Sequence, residues 1–450
     1  MRAYWRLAVF ALFMLCALPA WAASLSVSLG PSVVALNGPW RFHIGDDPRW
    51  SAQSFDDSQW EAVDLTPRAG AHDGDVGLKN YVPGWAARGH RGYTGTAWYR
   101  LAVRVADPGS ATLWLAGPAD VDNAYQIYFN GHLIGGIGDF SRDPPVVVSI
   151  QPRIFALPRG LWRADNEGLK GLIAIRVAFA KGSFGSGAPD AGGIHIAPLL
   201  GNEKGVGDHV RLQWLQTIEG YAVDGAEAVV FLLLAIMALT LLPLDSRSSF
   251  YLWLAAALVL LAIARGNQPF YFLAQIETMR EFALWRLVVV DALTLGAWTM
   301  AWRTAWDPQS SRWTAITCGV LTAAYAMARL LTLSMFFPHM PQPFVDVLKI
   351  ALQVDRLGFF GLFCWFAWRG LRRRERGLWF ALAALLLVAI GLFAQELGLI
   401  GAPGIWFPLG IGVSRTEYAY AAFDVVLFLY LLQRLRSLAP ERSVVRAAAP

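Results

Sequence analysis

Cysteine and charged residues are both scarce in this chain of 450 residues. Only three cysteines occur, and residues 23–220 contain none, which excludes a disulfide framework or a cysteine-based zinc site from that stretch. Charged residues make up 16% of the sequence and hydrophobic residues 56%, whereas an ordinary soluble domain is about a quarter charged. The composition therefore excludes both a disordered chain and a protein that is soluble throughout.

The charge is unevenly distributed along the sequence. Residues 23–220 carry 17 basic and 19 acidic side chains, so this stretch lacks the positive excess that nucleic-acid binding requires. Residues 221–450 carry 19 basic and 14 acidic side chains, and they also contain the long apolar runs. A basic excess beside apolar runs is typical of membrane topology. We therefore expect a lipid bilayer, and no nucleic acid, as a partner.

The first 22 residues have the three parts of a secretory signal peptide. Arg2 and Arg6 precede an apolar run over 7–18, and Ala20-Trp21-Ala22 supplies the small residues of a cleavage site. We expect cleavage after Ala22, with retention as a membrane anchor as the alternative. The mature N-terminus should then lie outside the cytoplasm.

Residues 23–208 are predicted to form an all-β domain. Short runs rich in aromatic and β-branched residues alternate with Gly, Pro, Asp and Asn, as at 40–44, 97–105 and 125–129. Asn130-Gly131 follows one such run and predicts a type I′ hairpin turn. Many short strands without helical periodicity predict a β-sandwich of the jelly-roll kind.

Several motifs of this domain resemble the N-terminal jelly roll of glycoside hydrolase family 2, which has a galactose-binding-like fold. They are Leu-Asn-Gly-Pro-Trp-Arg-Phe at 36–42, Phe-Asp-Asp-Ser-Gln-Trp-Glu at 55–61, Thr-Ala-Trp-Tyr-Arg at 96–100 and Asp-Val-Asp-Asn-Ala-Tyr at 120–125. In that family catalysis belongs to a separate barrel of about 250 residues, for which this chain has no room. The resemblance therefore implies a carbohydrate-binding type of fold, and we expect the chain not to be an enzyme.

Seven apolar stretches follow a predicted linker at 209–221. Each is close to the roughly 20 residues that a helix needs to cross the hydrocarbon of a bilayer. They cover 222–243, 249–266, 282–302, 314–336, 344–368, 378–398 and 411–432. The fold class is thus a multidomain membrane protein, with an all-β jelly-roll ectodomain followed by an all-α bundle of seven transmembrane helices over 222–432.

The arginines between these stretches predict the orientation of the bundle. With the N-terminus outside, the loops expected in the cytoplasm and the tail at 433–450 hold twelve arginines, and the opposite loops hold two, Arg265 and Arg280. By the positive-inside rule, the β domain is periplasmic and the C-terminus cytoplasmic. The expected location is the inner membrane of a bacterium.

This architecture resembles the bacterial seven-transmembrane receptors with diverse intracellular signalling modules. Members of that family generally continue after the last helix into an output domain such as a cyclase, kinase or phosphatase, whereas residues 433–450 carry no motif of such a domain. The resemblance implies a receptor that acts on a separate cytoplasmic signalling protein, or one whose output domain was lost or is encoded downstream. A homodimer stays open as an oligomeric state.

Polar residues in or beside the predicted turns of the β domain are the candidate ligand contacts. Their side chains could hydrogen-bond a saccharide or a cell-envelope glycan, and turn formation or strand pairing is the alternative explanation. The tryptophans Trp40, Trp60 and Trp98 are assigned to the core instead. Because the seven histidines lack ligand spacing, no metal and no cofactor is predicted. The candidate residues are Arg100, Asp122, Asn123, Tyr125, Asp139 and Arg142.

Ionisable residues inside the predicted spans are costly to bury and are therefore candidate signalling residues. Interhelical ion pairs that lock the bundle are one alternative, and a proton or ion path is another. Three acids lie near mid-depth, where Arg356 is the one base, so at least one of these acids should lack a charged partner. The candidates are Arg286, Asp291, Arg329, Lys349, Asp355, Arg356, Glu396, Arg415, Glu417 and Asp424, with Asp224 and Glu227 in the outer half.

Two functions from different classes are consistent with these observations. The first is a membrane receptor whose β domain detects a periplasmic ligand and whose helices transmit a conformational change to a cytoplasmic partner. The second is a membrane-embedded enzyme or transporter with an accessory carbohydrate-binding domain. The lack of a catalytic motif, of internal repeats and of broken helices favours the receptor.

Overall fold

The computed structural model describes most of the chain. The described residues are 32–105, 112–142, 145–147, 151–166, 168–183, 187–307, 312–373, 378–399, 401, 404–406 and 412–447. The predicted signal peptide lies outside them. A β-sheet region at 33–201 is followed by a helical region at 203–447, and the chain passes from one to the other at Asn202.

Two antiparallel sheets make up the β-sheet region. The smaller has the strand order β1-β11-β5-β8, and the larger has the order β3-β2-β4-β10-β6-β7 with β9 paired to β10. The strands are β1 Val33–Ala35, β2 Trp40–Ile44, β3 Glu61–Val63, β4 Gly95–Val105, β5 Leu113–Ala116, β6 Ala124–Phe129, β7 His132–Ile137, β8 Ile154–Leu157, β9 Arg163–Asp165, β10 Gly168–Phe179 and β11 Leu199–Gly201.

Local sequence patterns explain the strands and their turns. Along β2 Trp40 and Phe42 are buried and the residues between and after them are exposed, which is the period of two that a half-buried strand requires. Asn130 has φ +48° and Gly131 has φ +86°, the left-handed conformation of both central residues in a type I′ turn. The predicted hairpin is confirmed as the connection between β6 and β7.

The two sheets share one apolar core. Leu115 and Leu157 of the smaller sheet pack in the same cluster as Tyr99, Ile127 and Ile175 of the larger. The predicted core tryptophans are confirmed, since all three are less than 9% exposed; they are Trp40, Trp60 and Trp98.

The helical region contains long helices joined by short connections. A further short strand pair, β12 Ile405–Trp406 with β13 Val413–Ser414, precedes the last helix. The helices are α1 Glu203–Leu241, α2 Ser248–Ala274, α3 Met279–Trp306, α4 Arg312–Thr332, α5 Gln342–Arg373, α6 Leu378–Leu392, α7 Ala394–Leu399 and α8 Arg415–Ala447.

Five helices in the described part of the chain are long and apolar enough to cross a membrane: α1, α2, α3, α4 and the Arg415–Leu438 part of α8. Their outward faces carry large apolar side chains, such as Leu233 at 60% and Ile236 at 59% exposure. Contiguous apolar surface of this kind is unfavourable in water and suits contact with lipid. The helices therefore indicate a membrane location.

Each of the seven predicted spans falls on a helix, but two of these helices differ from a membrane-crossing segment. The stretch 344–368 lies in α5, where Lys349, Asp355 and Arg356 interrupt the apolar run. The stretch 378–398 is divided between α6, which has 15 residues, and α7. By length and composition, the described residues thus supply five candidate spans where the sequence predicted seven.

The predicted linker at 209–221 is helical and forms part of α1. Asn202 caps this helix, since its side-chain oxygen accepts a hydrogen bond from Gly205 N at 2.7 Å. Contacts with β5, β8 and β11 support the first turns of α1. The β-sheet region is therefore joined to the first candidate span by continuous helix.

Candidate functional site

The β-sheet region and the helix ends that face it meet in a polar interface, here called the junction. Gln216 Nε2 in α1 donates to Gly77 O at 2.6 Å, and Gln151 Nε2 in the β-sheet region donates to Phe272 O in α2 at 2.9 Å. Met279 N at the start of α3 donates to Val147 O at 2.9 Å. Three helices therefore hold the β-sheet region directly.

Asp75 is a side chain of the β-sheet region that bonds directly to two helices in this interface. The carboxylate of Asp73 accepts hydrogen bonds from three backbone N–H groups of the following turn, which fixes the position of Asp75. Asp75 Oδ2 then accepts from Tyr221 Oη in α1 at 2.8 Å and from Gln268 Nε2 in α2 at 3.2 Å. One carboxylate thus joins a loop of the β-sheet region to two helices.

A cluster of four charged side chains lies one helical turn deeper. Arg265 Nε binds Glu227 Oε2 at 2.7 Å, and Arg265 Nη2 binds Glu417 Oε1 at 2.6 Å and pairs with Asp224. Asp224 follows Tyr221 by three residues and Arg265 precedes Gln268 by three, so each pair shares a helix face. This outer cluster, consisting of Asp224, Glu227, Arg265 and Glu417, joins α1, α2 and α8.

A second cluster joins the opposite ends of the same three helical segments. Arg434 in α8 pairs with Asp245, which follows α1, and its Nε lies 3.4 Å from Tyr251 Oη in α2. Tyr251 Oη also donates to Asp245 Oδ2 at 2.9 Å. Glu417 and Arg434 are 17 residues apart in α8, which is about 26 Å of helix and close to the thickness of a bilayer core of about 30 Å. We call Asp245, Tyr251 and Arg434 the inner cluster.

His195 forms a buried polar group on the β side of the junction. Its Nε2 lies 3.1 Å from Asp122 Oδ2 and its Nδ1 lies 3.0 Å from Val82 O. Two acceptors suit an imidazolium, in which both ring nitrogens donate. Burial alone would lower the pKa of His195, but the hydrogen bond to Asp122 and the charge of Asp120 outweigh it and raise the pKa to about 9. Burial also raises the pKa of Asp120, to about 7.

Two cavities flank this interface. The first has a volume of about 590 Å³ and is here called the basic cavity. It lies between the β-sheet region and the ends of α3 and α4 that face it. Its charged lining residues are Arg142, Lys181 and Arg280. The second, of about 400 Å³, is the acidic cavity, lined by Asp73, Asp75, Asp120 and Asp122 together with aromatic rings of α1, α2 and α3. Three residues line both: Asn123, Val147 and Met279. In the described part of the chain, no group of three or more His, Cys, Asp or Glu side chains could hold a metal ion.

Three of the six predicted ligand residues line these cavities. Asp122 lines the acidic cavity, Asn123 lines both, and Arg142 lines the basic cavity. Asn123 is also a structural residue, since its Oδ1 accepts from Ala180 N at 2.8 Å. Asp139 accepts from Ser141 N at 2.9 Å within an exposed turn. The three lining residues are thus divided between two cavities, Asp122 in the acidic one and Arg142 in the basic one, with Asn123 in both.

Arg100 and Tyr125 are placed elsewhere, in the interior of the β-sheet region. Arg100 lies in the wall of a further cavity of about 800 Å³, but it is 2% exposed and all three of its guanidinium nitrogens donate to protein acceptors. Tyr125 is fully buried in the core shared by the two sheets. Neither residue presents a surface to a ligand in this structure. Tyr125 points into the core between the sheets, and Arg100 lies on the opposite face of the larger sheet, where the segment at 50–57 covers it.

The predicted signalling residues of the helices are mostly tied to near neighbours. Arg286 pairs with Asp291 across a π-helical stretch of α3, Leu284–Val290, whose wider turn brings positions five apart towards one face. Arg356 is bound twice by Glu396, including Nη2 to Oε2 at 2.8 Å. Lys349 pairs at 3.3 Å with exposed Asp346, and Arg415 Nη2 donates to Ala394 O at 2.7 Å.

Several of the predicted signalling residues have a buried polar atom without a hydrogen-bond partner in the described structure. Among these atoms are Arg329 Nε, Asp355 Oδ2 and Asp424 Oδ1. Arg356 pairs with Glu396 and with none of the three mid-depth acids, so the expectation of an acid without a charged partner agrees with Asp355 and Asp424. Asp291 is the mid-depth acid that does have one, Arg286.

Arg265 and Asp75 are the two functional candidates that the sequence analysis missed. Arg265 was assigned to an outer loop because the apolar run ends near residue 266, whereas α2 continues to Ala274. Asp224 and Glu227 could have indicated the basic partner Arg265, because two acids spaced i, i+3 on one helix face repel each other and are stabilised by a nearby base. No local pattern distinguishes Asp75 from other loop aspartates.

Comparison with known proteins gives partial structural similarity to the β-sheet region. The chain matches no protein-family model and no curated protein sequence. Among solved structures it is similar to a Bacteroides uniformis beta-glucuronidase (20% identity, 37% of this chain and 17% of that chain, TM-score 0.26). It is also similar to a glycosyl hydrolase family 2 member from Bacteroides cellulosilyticus (18% identity, 38% of this chain and 20% of that chain, TM-score 0.25). A Faecalibacterium prausnitzii beta-glucuronidase is similar as well (16% identity, 38% of this chain and 31% of that chain, TM-score 0.25).

One of these neighbours is named as a member of glycosyl hydrolase family 2, and the chain spans less than a third of the length of each of the three. The structure itself defines a chain with an N-terminal β-sheet region followed by helices that are long and apolar enough to cross a membrane.

The raised pKa of His195 predicts a pH dependence of stability. A histidine whose pKa is about 9 when folded and about 6.5 when unfolded stabilises the fold fully below pH about 6.5, and that contribution is lost as the pH rises through 9. The loss is about 3 kcal/mol, and the raised pKa of Asp120 acts in the same direction. We expect His195→Gln to flatten the fall in Tm between pH 6.5 and 9, measured by tryptophan fluorescence. His132→Gln, at an exposed position, should leave that fall unchanged; an equal slope in all three proteins would contradict the assignment.

Proposed function

We propose that this protein is a receptor of the bacterial inner membrane. In this proposal residues 23–208 form a periplasmic jelly roll that detects a ligand, with a saccharide or cell-envelope glycan as the expected class. Seven helices then transmit a conformational change to a separate cytoplasmic signalling protein. The observation that carries the proposal is the connection from Asp75 through Tyr221 and Gln268 to the outer cluster.

The connection supplies a physical route for transmission. A movement of the β-sheet region displaces Asp75, which is bonded to α1 and α2 just above the outer cluster. The outer cluster couples these two helices to α8 through Glu417, and the inner cluster couples the same segments at their far ends. Because α8 is continuous between Glu417 and Arg434, a shift at the outer cluster reaches the inner cluster as a movement of a rigid helix.

The proposed topology can be checked with reporters. The twelve arginines on one side of the proposed spans support a periplasmic N-terminus and a cytoplasmic C-terminus. A fluorescent protein that folds only in the cytoplasm, fused after Pro450, should be bright, and an export-dependent phosphatase fused at the same position should be inactive. An active phosphatase there would contradict an odd number of spans after a cleaved signal peptide.

The receptor function is tested by a ligand response at the far end of α8. A fluorophore is attached to Ser437→Cys in a background of Cys318→Ala and Cys364→Ala, and the full chain in nanodiscs is titrated with a panel of neutral and acidic disaccharides. We expect ligand binding to change the emission of this fluorophore. Asp75→Asn should reduce the emission change at saturating ligand at least several-fold, because the amide weakens the connection to Tyr221 and Gln268.

Asp64→Asn is the matched control for this experiment. Asp64 is an exposed loop acid whose carboxylate accepts hydrogen bonds from Thr66, so its amide should leave the response intact. Binding without any change in emission would contradict a receptor.

A transporter is the second candidate function, and one observation favours it. Asp355 and Asp424 each keep a buried carboxylate oxygen without a hydrogen-bond partner, and carboxylates of this kind serve in proton relays. Uptake of the bound disaccharide into proteoliposomes, abolished in Asp355→Asn or Asp424→Asn, would establish the transporter. Hydrolysis of aryl glycosides by the full chain would establish an enzyme instead, and we expect none.

A further inference from the structure

We propose that the basic cavity binds a negatively charged group, carried either by an acidic saccharide or by a lipid headgroup. The proposal deepens the receptor function and rests on it for the saccharide alternative. A ligand in this cavity touches the β-sheet region through Arg142 and Lys181 and the helical region through Arg280, so its charge would hold the two regions together.

The lining of the basic cavity has charge of one sign. Its described lining residues include three basic side chains and no acidic one. Two of the neighbouring acids are engaged in local hydrogen bonds: Asp139 accepts from Ser141 N, and Glu281 accepts from the backbone and hydroxyl of Thr278. A third acid, Glu277, precedes Thr278 but does not line the cavity. Three cations facing one cavity repel each other and attract an anion, with a strength that depends on the ionic strength.

The remaining lining of the cavity suits a polyol or a headgroup. Its volume of about 590 Å³ lies within the range of about 300–1,000 Å³ that small-molecule sites occupy. Hydroxyl groups that can bind sugar oxygens accompany the three cations, and they belong to Thr94, Thr96 and Ser334. Phe336 supplies an aromatic surface, with the Arg280 guanidinium 5.1 Å from its ring centroid.

The two walls of the cavity are in direct contact at one edge. Lys181 Nζ donates to Pro338 O at 3.3 Å. Gly182, with φ +82°, lies so close to the connection between α4 and α5 that an added Cβ would collide with Ser334 and lie 2.8 Å from Met335 N. The position of Lys181 therefore depends on how closely the β-sheet region approaches the helices, which makes the cavity sensitive to their relative position.

The test compares a charged and a neutral disaccharide on the full chain. The protein is placed in phosphatidylcholine nanodiscs at low salt and titrated by calorimetry with digalacturonate and with galactobiose of the same linkage. We expect digalacturonate to bind at least tenfold more tightly and to lose this advantage at high salt. Lys181→Gln and Arg280→Gln should each weaken digalacturonate about tenfold, because each removes one charge-assisted hydrogen bond.

Two variants control for folding and for general charge. Arg280→Lys keeps the charge and should retain most of the affinity. Lys204→Gln removes an exposed lysine that pairs with Asp208 on α1, outside the cavity, and should have no effect. Equal binding of the charged and neutral disaccharides, or unchanged affinity in both Lys181→Gln and Arg280→Gln, would overturn the proposal.

A lipid arm separates the two sources of the charge. Phosphatidylglycerol in the nanodisc can compete with digalacturonate, or it can be retained by the unmodified chain in native mass spectrometry and lost in Arg280→Gln. Either result would show that the anion is a lipid headgroup and would support the site. If neither digalacturonate nor phosphatidylglycerol binds, the site is refuted. Binding that leaves the fluorophore at Ser437→Cys unaffected would refute the receptor function alone.

Discussion

Replacing Arg265 with methionine is expected to deplete the folded protein from the membrane by an order of magnitude. The substitution leaves three carboxyl groups of the outer cluster without their cation, and the side chains involved are at most 14% exposed. Removing one partner from a buried ion pair costs about 3–5 kcal/mol, which is a large part of an ordinary stability of about 5–15 kcal/mol. The measurement is the yield of monodisperse protein after detergent extraction.

Compensating variants separate a charge effect from a packing effect. Adding Glu227→Gln and Glu417→Gln to Arg265→Met removes two of the orphaned charges and should restore much of the yield. Arg265→Lys keeps the charge but loses the forked geometry, so an intermediate yield is expected. If Arg265→Met alone gives the normal yield, the outer cluster does not stabilise the bundle, and the proposed route through it loses its basis.

The second large effect is expected from Arg100→Met in the β-sheet region. Arg100 is 2% exposed and binds Asp57 Oδ2 at 2.7 Å as well as backbone carbonyl groups of the segment at 50–55. Methionine retains the apolar stem but leaves Asp57 and these carbonyls unpaired, at a cost of about 3–5 kcal/mol. The Tm of the β-sheet region should fall by about 10 °C, since 1 kcal/mol corresponds to about 2–4 °C in a region of this size.

Arg49→Met is the matched control for Arg100→Met. Arg49 also pairs with an aspartate, Asp47, but its side chain is 85% exposed, and exposed ion pairs contribute only about 0–1 kcal/mol. We expect almost no change in Tm for this variant. Similar effects of the two substitutions would mean that Arg100 is not the residue that anchors the segment at 50–55.

The strands were predictable because their signals are local. The alternation along β2 and the Asn130-Gly131 turn each depend on neighbouring residues, and both appear in the structure as expected. The apolar runs likewise located the helices, because burial in lipid needs long apolar segments. Each of the five candidate spans overlaps one of these runs, although α1 and α2 extend beyond theirs.

The junction was not predictable in the same way, because it depends on contacts between residues far apart in sequence. Asp75 and Tyr221 are 146 residues apart, and Arg265 and Glu417 are 152 apart. The end of α2 was also predicted too early, because the polar residues after Arg265 end the apolar run. The helix continues to Ala274, where the β-sheet region packs against it. Likewise, Asn123 and Tyr125 were both predicted as ligand contacts because they lie beside the same predicted turn. Asn123 lines both cavities, whereas Tyr125 is buried in the core.

The unbroken course of α1 has a mechanical consequence. Its 39 residues make a rod about 58 Å long, nearly twice the thickness of a bilayer core of about 30 Å. A rod of that length amplifies angular motion: a tilt of about 5° about one end displaces the other by about 5 Å, roughly one helical turn. If α1 spans the bilayer as proposed, a small rotation of its membrane part therefore displaces its first turns by several ångströms, and with them the strands β5, β8 and β11 that contact this helix.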